Sequence, residues 1–381
     1  MVRVKKECIL LRPEDINPSS PKLRVIGAFN PAAVRSPDGN IVLYLRVVEE
    51  LITKKDSKYF YSPRLAGKNK YELRIDKFEK KLVSDSSDLD FVFKDDTKRL
   101  TFISHFRRIV LDPSGFKVKS IERAPSFFGL STDGELGVED PRITKIDDLY
   151  YMTYVGLSRS ENISTSLAVS SDLRSWKRLG IIFGEQDKDV VLFPEKIKGD
   201  YVAFDRPESS FHFSPPHIWA AYSKDLISWG KLDAVSLTKK GQWDYERSGA
   251  GAPPIKTSKG WLLIYHGVMS NTKRKVVDRI VKRMDISETI SGALRKRDSL
   301  YCGGVALFDL DNPKKLIAKS EVPILFPMKK HEISIYEDKR IIFPTGAVLD
   351  RNGRDLLIFS GAGDLVTTVK KVSLSRLFKK L

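Results

Sequence analysis

A strand-rich motif occurs twice in this chain, 53 residues apart, and it limits the possible folds more than any other feature. Its core is Ser-x-Asp-Leu-x-Ser-Trp, which ends at Trp176 in the first copy and at Trp229 in the second. The aspartates of the two copies, Asp172 and Asp225, can accept hydrogen bonds from backbone amides in a tight turn. We expect the tryptophans to fill the space between neighbouring sheets.

Short apolar runs surround the repeat and indicate further strands. Segments that read as strand, polar turn and strand occur at 145–152, 196–203 and 256–263. Runs rich in β-branched and aromatic residues are typical of strands, and they occur at 41–48, 149–155, 201–204, 261–265 and 304–308. A multi-strand period of about 50 residues is typical of propeller blades, and the chain has room for about five to seven. The sequence therefore predicts an all-β propeller, with a β-sandwich as the alternative.

Two segments depart from the strand pattern. Residues 273–300 form a charged insertion, densest in charge at 273–297, and we expect an amphipathic helix there. Its apolar residues recur at roughly helical spacing, at Val276, Val277, Ile280, Val281 and Met284. Residues 372–381 predict a short basic helix whose apolar side docks on the body or on another subunit. We expect a single domain over 1–381 that carries both helices.

Composition narrows the class of protein. The chain is 41% hydrophobic with a net charge of +17 and has two cysteines, Cys8 and Cys302. It has no apolar run of membrane-spanning length, and because no apolar region follows the basic residues at the N-terminus we do not expect a secretory signal. Two isolated thiols indicate neither disulfides nor a zinc site. We therefore expect a cytoplasmic protein. Because the basic residues are scattered, we do not favour nucleic acid as the main partner, although a polyanion-binding propeller remains an alternative.

The hexapeptide at 137–142, Gly-Val-Glu-Asp-Pro-Arg, is the sharpest candidate for chemistry. Pro141 fixes its own φ and pushes Asp140 toward an extended conformation. A carboxylate on so stiff a backbone suits a catalytic acid. The alternative is a structural ion pair between Asp140 and Arg142.

Later segments supply cations rather than a second acid. Arg206, Arg247 and His266 stand out in turn-like contexts. An inverting glycosidase needs a second carboxylate to activate water. One acid with several cations instead suits a nucleophile that is already negative, such as phosphate, which guanidinium groups bind bidentately.

Six motifs together resemble one enzyme family, glycoside hydrolase family 130, the mannoside phosphorylases. They run in the family's order through most of the chain, as Phe-Asn-Pro-Ala at 29–32, Gly-Val-Glu-Asp-Pro-Arg at 137–142, Leu-Phe-Pro-Glu-Lys at 192–196, Arg-Pro at 206–207, Gly-Ala-Gly-x-Pro-Pro-Ile at 249–255 and Gly-Trp-Leu-Leu-Ile-Tyr-His-Gly-Val at 260–268.

The resemblance implies a five-bladed β-propeller that cleaves β-mannosides with inversion, usually with inorganic phosphate and in a minority of members with water. With phosphate the product is α-mannose 1-phosphate, and no metal or organic cofactor is implied. Asp140 matches the family's proton donor, which acts through the 3-hydroxyl of the mannosyl unit. The resemblance further assigns sugar contacts to Asn30, Arg46 and Asp364, and phosphate contacts to Arg206, Arg247 and His266.

The same resemblance bears on whether phosphate or water is the nucleophile. Hydrolytic members replace the first two phosphate-binding cations with glutamates, whereas this chain has Arg206 and Arg247 there. We therefore expect phosphorolysis. The alternative is an inverting β-mannosidase in which Glu195, Glu208 or Glu246 supplies the base.

Some positions depart from the family pattern. A further phosphate-binding cation is expected before Leu-Phe-Pro, where Lys188 stands between two aspartates and matches it only as a point charge. The family shows a recognisable strand near 61–74, where this chain has a basic run, and Arg64 is a candidate sugar or phosphate contact. We count Arg142 and Tyr265 as further substrate contacts. We expect the insertion either to cap the cavity or to form an oligomer contact, and the linkage and acceptor sugar stay open.

Overall fold

The computed structural model describes residues 2–53, 56–208, 213–270, 274–286, 299–336 and 338–381. Within these ranges the chain forms 26 strands and two α-helices, which confirms the all-β prediction. No helix among the described residues is long and apolar enough to cross a membrane.

Three separate four-stranded antiparallel sheets account for the first half of the fold. The first consists of β2 (Leu23–Arg35), β3 (Ile41–Leu51), β9 (Phe102–Leu111) and β10 (Val118–Ile121). The second consists of β11 (Gly137–Ile146), β12 (Leu149–Ser158), β13 (Asn162–Ser170) and β14 (Lys177–Phe183). The third consists of β15 (Asp187–Leu192), β16 (Tyr201–Pro207), β17 (Trp219–Ser223) and β18 (Trp229–Ala234).

A nine-stranded sheet holds the remaining large strands and joins the two ends of the chain. One part consists of β19 (Arg247–Ala250), β20 (Ile255–Thr257), β21 (Gly260–Ser270), β22 (Ser299–Phe308) and β23 (Leu316–Lys319). The other part consists of β1 (Val4–Leu11), β24 (Lys339–Leu349), β25 (Asp355–Ala362) and β26 (Val366–Ser373). A short parallel pairing of β22 with β24 links the two parts, and β1 pairs with β26, so the first strand completes a unit begun by the last three.

Five short strands lie between β3 and β9 along the chain and form two small sheets, one of two strands and one of three. They are β4 (Tyr59–Leu65), β5 (Leu73–Glu79), β6 (Val83–Ser86), β7 (Asp90–Phe93) and β8 (Lys98–Leu100). The basic run near 61–74 is thus a hairpin, in which β4 pairs with β5.

The two copies of the repeat behave as their residues predict. Asp172 accepts hydrogen bonds from the amides of residues 174 and 175, and Asp225 accepts them from residues 227 and 228. The Trp176 indole donates to the Tyr44 hydroxyl of the first sheet at 2.7 Å. Trp229 packs against Phe183 of the second sheet, with ring centroids 5.5 Å apart. Each tryptophan therefore fills the space between its own sheet and the preceding one, as predicted.

The two helices lie where the sequence indicates. Helix α1 (Arg274–Arg283) buries Val277, Ile280 and Val281 against the core beside β21 and β22. Helix α2 (Leu374–Phe378) buries Leu377 on the body, which confirms the docked tail. Residues 287–298 of the predicted insertion lie outside the described residues.

The strands nearest the site carry bulges that change the direction of their side chains. Strand β2 lies against β11 and β24, and β15 lies between β11 and β19. Strands β2, β11 and β15 each contain a bulge with a left-handed residue, with φ of 49° at Asn30, 48° at Asp140 and 57° at Asp189. Asparagine and aspartate tolerate this conformation better than other side-chain-bearing residues, and bulges commonly redirect side chains at active sites.

The extended conformation predicted for Asp140 is therefore wrong. Proline at the next position disfavours the right-handed helical region, and the bulge takes the left-handed one instead. Arg46 lies in the middle of β3, because that strand continues beyond the predicted run to Leu51.

Candidate active site

A cavity of about 290 Å³ lies where β2, β3, β11 and β24 come together. Its polar wall consists of Asn30, Arg46, Glu139, Asp140, Lys188, Ser334, Lys339 and Asp364. Its apolar and aromatic wall includes Phe29, Val48, Leu89, Phe102, Tyr301, Tyr336 and Phe343. A mostly apolar pocket with a few convergent polar groups is the usual form of a small-molecule site.

The Asp140 carboxylate is held by two donors from the first sheet. Asn30 Nδ2 donates to Asp140 Oδ1 at 2.8 Å, and Arg46 Nη1 donates to the same oxygen at 3.2 Å. Arg46 Nη2 also donates to Glu139 Oε1 at 2.5 Å, and Lys188 Nζ lies 3.8 Å from the other oxygen of Glu139. The carboxylate therefore faces the cavity on a fixed backbone, with Glu139 as a bridge between two cations.

Arg142 does not form the ion pair with Asp140 that the sequence left open. Its Nη1 donates to the main-chain oxygen of Asp140 at 2.8 Å, and its Nε donates to that of Gly251 at 2.5 Å. The guanidinium is 1% exposed, and Nη2 lies 3.7 Å from Asp189 Oδ1. Arg142 thus braces the backbone that carries Asp140 and connects it to the neighbouring cluster.

That cluster is centred on Asp189. We use the name cation cluster for Asp189 and the four side chains around it, Arg142, Arg206, Arg247 and His266. Arg206 Nε donates to Asp189 Oδ2 at 2.7 Å, and His266 Nε2 lies 3.4 Å from the same oxygen. Burial alone would raise the pKa of Asp189, but Arg206, His266 and Arg142 together lower it below its usual value. The carboxylate is therefore a permanent anion that fixes the surrounding side chains.

Arg247 joins the cluster through Glu208. Arg206 Nη1 donates to Glu208 Oε2 at 2.7 Å, while Arg247 donates to both carboxylate oxygens, at 2.5 Å and 3.3 Å. Three strands contribute, since Arg206 is next to the last residue of β16, Arg247 begins β19 and His266 lies in β21. Residues that are 60 positions apart along the chain are thus brought to one place.

His266 differs from a simple cation. It is fully buried, and its ring lies 4.4 Å from that of Phe343. Burial lowers its pKa to about 3, with the nearby arginines acting in the same direction and Asp189 opposing them. His266 is therefore neutral at neutral pH and can offer a ring N–H, but not a full positive charge.

The other predicted site residues divide into two groups. Lys188 and Asp364 line the cavity beside Asp140. Arg64 and Tyr265 lie away from it: Arg64 pairs with Asp76 at 2.5 Å in the β4–β5 hairpin, and the buried Tyr265 hydroxyl donates to Asp244 at 2.7 Å.

Sequence reasoning did not assign a central role to Asp189. The signal was present, because Asn30, Asp140 and Asp189 occupy equivalent bulges in β2, β11 and β15. The similarity of the three segments was hidden because Asp189 is followed by valine, whereas Asn30 and Asp140 are each followed by proline. Within the described ranges, no group of three or more His, Cys, Asp or Glu side chains is placed to hold a metal ion.

A buried acid pair adjoins the cation cluster. Asp187 and Asp205 are hydrogen-bonded to each other, and Asp187 Oδ1 also accepts the Arg206 main-chain N–H at 3.1 Å. Burial raises the pKa of both carboxyls, to about 9 for Asp187, whose ionisation Asp205 also opposes, and to about 6 for Asp205. The pair thus shares a proton at neutral pH.

This pair predicts a stability that falls in alkaline solution. A pKa raised by folding stabilises the protein fully below the unfolded value of about 3.9 and progressively less as the pH rises through the folded value. Between pH 6 and 9 we expect the free energy of unfolding to fall by up to about 1.4 kcal/mol for each pH unit, because the folded pair keeps one proton that the unfolded carboxyls have already lost. Urea denaturation at several pH values measures it. Asp205→Asn should flatten the profile, because an amide can donate to Asp187 at any pH, and an equally steep profile in that variant would refute this origin.

The fold and the site together define a class of protein. It is all-β, with the Asp140 carboxylate held at a small-molecule cavity and a cluster of guanidinium groups next to the strand that carries Asp140. A carboxylate held beside a cavity suits acid catalysis, and neighbouring guanidinium groups suit the binding of an anion.

Comparison with known proteins gives the family. The family model described as beta-1,4-mannooligosaccharide phosphorylase matches residues 91–381. The chain is 29% identical to the beta-1,2-mannobiose phosphorylase of Listeria innocua, over 93% of this chain and 91% of that protein. It is 34% identical to the 1,2-beta-oligomannan phosphorylase of a Thermoanaerobacter species, over 62% of this chain and 69% of that one.

A solved structure agrees with the sequence comparisons. The Listeria innocua beta-1,2-mannobiose phosphorylase in complex with beta-1,2-mannobiose superposes with a TM-score of 0.80 at 27% identity, covering 98% of this chain and 96% of that one. This chain belongs to glycoside hydrolase family 130 and is an enzyme of that family.

Proposed function

We propose that this enzyme cleaves β-mannosides by phosphorolysis with inversion and releases α-mannose 1-phosphate. The observation that carries the proposal is the cation cluster, in which Arg206 and Arg247 converge next to the strand of Asp140. The named phosphorylases similar to this chain support the same reaction. A pair of guanidinium groups can bind the oxygens of phosphate bidentately. A hydrolase, which uses water, does not need such a phosphate site.

In this proposal Asp140 is the proton donor, acting on the glycosidic oxygen through the 3-hydroxyl of the mannosyl unit. Asn30, Arg46 and Asp364 hold that sugar, and Arg206, Arg247, His266 and Lys188 hold phosphate. Because phosphate arrives as an anion, the reaction needs no second carboxylate as a base. The proposal includes no metal or organic cofactor, and phosphate is a co-substrate.

We also propose a five-bladed propeller that forms one domain. The three four-stranded sheets and the two parts of the nine-stranded sheet would be its blades. The pairing of β1 with β26 supports closure, because it completes the last blade with the first strand of the chain. The inner strands β2, β11, β15, β19 and β24 would then surround the cavity.

The substrates we propose are β-1,2- or β-1,4-linked manno-oligosaccharides or mannosyl-glucose. The beta-1,2-mannobiose phosphorylase that matches most of this chain makes β-1,2-mannobiose the first substrate to test. We propose neither a membrane nor a nucleic acid as partner, and association of identical chains remains a further proposal.

One observation favours a second candidate, an inverting β-mannosidase. Glu208 lies against both arginines, so it is the predicted alternative base that is nearest to the cation cluster. Glu195 instead pairs with Lys256 at the surface. In a hydrolase Glu208 would activate water, with a carboxylate separation of roughly 6.5–9.5 Å from the acid.

The test is phosphate dependence. We expect β-1,2-mannobiose or β-1,4-mannobiose to be consumed only with inorganic phosphate, yielding mannose 1-phosphate and one equivalent of free mannose, which chromatography separates. The anomer of the phosphate ester, read by NMR, reports inversion. Release of two mannose equivalents at the same rate without phosphate would make the enzyme a hydrolase.

A further inference from the structure

The two arginines assigned to phosphate are already bridged by an anion of the protein itself. Glu208 accepts one hydrogen bond from Arg206 and two from Arg247. The Arg247 contact is a two-pronged guanidinium–carboxylate pair, and a phosphate with two free oxygens would make the same pair. The carboxylate therefore occupies the place where phosphate oxygens are expected.

Glu208 and Asp189 hold Arg206 in different ways. The Asp189 side chain is 4% exposed and is enclosed by Arg142, Arg206 and His266, so it has no route to solvent. The Glu208 side chain is 25% exposed, and its partner Arg247 is 32% exposed. Of the two anions that contact Arg206, Glu208 is thus the one that can leave without opening the core.

Charge makes simultaneous occupancy unfavourable. Although burial opposes it, the pKa of Glu208 is lowered by Arg206 first and then by Arg247 and Lys188, so this carboxylate is ionised at neutral pH. A phosphate dianion bound to the same guanidinium groups would face a like charge at contact distance, which disfavours both. In the absence of phosphate, by contrast, the carboxylate offsets the repulsion between the two arginines.

We propose that Glu208 is an internal anion that occupies the phosphate site of the resting enzyme and exchanges with phosphate in each turnover. The inference rests on the proposed function and goes further, because it assigns Glu208 the role of setting the phosphate affinity. Phosphate binds only by displacing the carboxylate, and the returning carboxylate assists the departure of mannose 1-phosphate. Glu208 is thus a specificity residue, and not the base of a hydrolase.

Glu208→Gln tests the exchange. The variant keeps the size of the side chain but removes its charge, so phosphate no longer competes with an anion. We expect the KM for phosphate to fall about tenfold, equivalent to ~1.4 kcal/mol, with the KM for mannobiose unchanged. The inhibition constant of sulfate should fall in parallel, because sulfate competes for the same arginines. Glu208→Ala should also lower the KM for phosphate.

The matched control is Glu122→Gln. Glu122 also lies between two arginines, at 3.3 Å from Arg108 and 3.7 Å from Arg174, but outside the site. The Glu122→Gln variant should leave the phosphate KM unchanged. Thermal unfolding of each variant checks that the fold is retained.

Two results would overturn the inference. A phosphate KM that is unchanged or raised in both Glu208 variants would mean that the carboxylate only positions the arginines. A wild type that releases mannose without phosphate, together with Glu208 variants that do not, would mean that the carboxylate is a base. Calorimetric titration of the full chain with inorganic phosphate, without sugar, separates this inference from the proposed function. If the wild type binds phosphate but does not use it, the function fails while the Glu208→Gln affinity still decides the inference. If neither protein binds phosphate, the inference is wrong.

Discussion

Asp140→Asn is expected to reduce the rate of phosphorolysis by roughly 10²–10⁴-fold, the range that a positioned general acid contributes. The amide has nearly the same shape as the carboxyl group but has no acidic proton for the 3-hydroxyl of the mannosyl unit. The measurement is kcat/KM with β-1,2-mannobiose at saturating phosphate. The affinity for inorganic phosphate, measured by calorimetry, should stay within a factor of a few of the wild type.

The fold should tolerate this change. Asparagine is one of the few residues that adopts a left-handed backbone readily, so the φ of 48° at this position adds little strain. Arg46 keeps its bond to Glu139, so its guanidinium is not left without an anion. A loss of activity therefore reports the missing proton and not a displaced strand.

A matched control is available in the turn at the other end of β11. Asp147, between β11 and β12, also has a left-handed backbone, with φ of 52°, but it lies at the surface. Asp147→Asn should leave kcat/KM unchanged. If Asp140→Asn also retains near-normal turnover, another group supplies the proton and the assignment of the acid is incorrect.

The sequence predicted features that depend on local contacts. The turn that Asp172 caps is formed by the next three residues, so a repeat of seven residues was enough to predict it. Trp176 and Trp229 pack between sheets because the repeat occurs once in the second sheet and once in the third. The apolar spacing of α1 likewise predicted which face is buried.

The sequence could not predict features that depend on distant partners. The conformation of Asp140 follows from a bulge whose position is fixed by pairing with β12, and the proline rule alone gave the wrong region. Glu208 and Arg247 are 39 residues apart, and nothing in either segment indicates that they pair. The apolar cavity wall includes Leu89, which lies between β6 and β7 in the segment inserted between β3 and β9, and the motifs do not cover this segment.

The charge state of His266 could not be predicted from the sequence either. Its ionisation depends on complete burial beside three arginines, which are contributed by β11, β16 and β19. A residue counted as a potential cation is therefore a neutral hydrogen-bond donor. The permanent positive charge of the cation cluster comes from the arginines, and Asp189 is the fully buried acid that offsets it.

That balance makes Asp189→Asn the variant with the largest expected effect on stability. Removing one partner of a buried charge pair leaves the other uncompensated and typically costs about 3–5 kcal/mol. Asp189 contacts Arg206 at 2.7 Å and Arg142 at 3.7 Å, and both guanidiniums are nearly inaccessible to water. Urea denaturation should show a loss of this size. Asp200→Asn, which removes a carboxylate paired with the exposed Lys224, should cost less than about 1 kcal/mol.

The two acids that bind Arg206 should affect phosphate in opposite directions, and this contrast tests the whole site. Asp189 cannot leave, so its removal frees the Arg206 guanidinium to change direction, and we expect the phosphate KM to rise. Glu208 can leave, so removal of its charge should lower the same constant. Equal shifts in both variants would mean that only the net charge near the arginines matters. Opposite shifts require one carboxylate that orients the arginine and one that competes with the substrate.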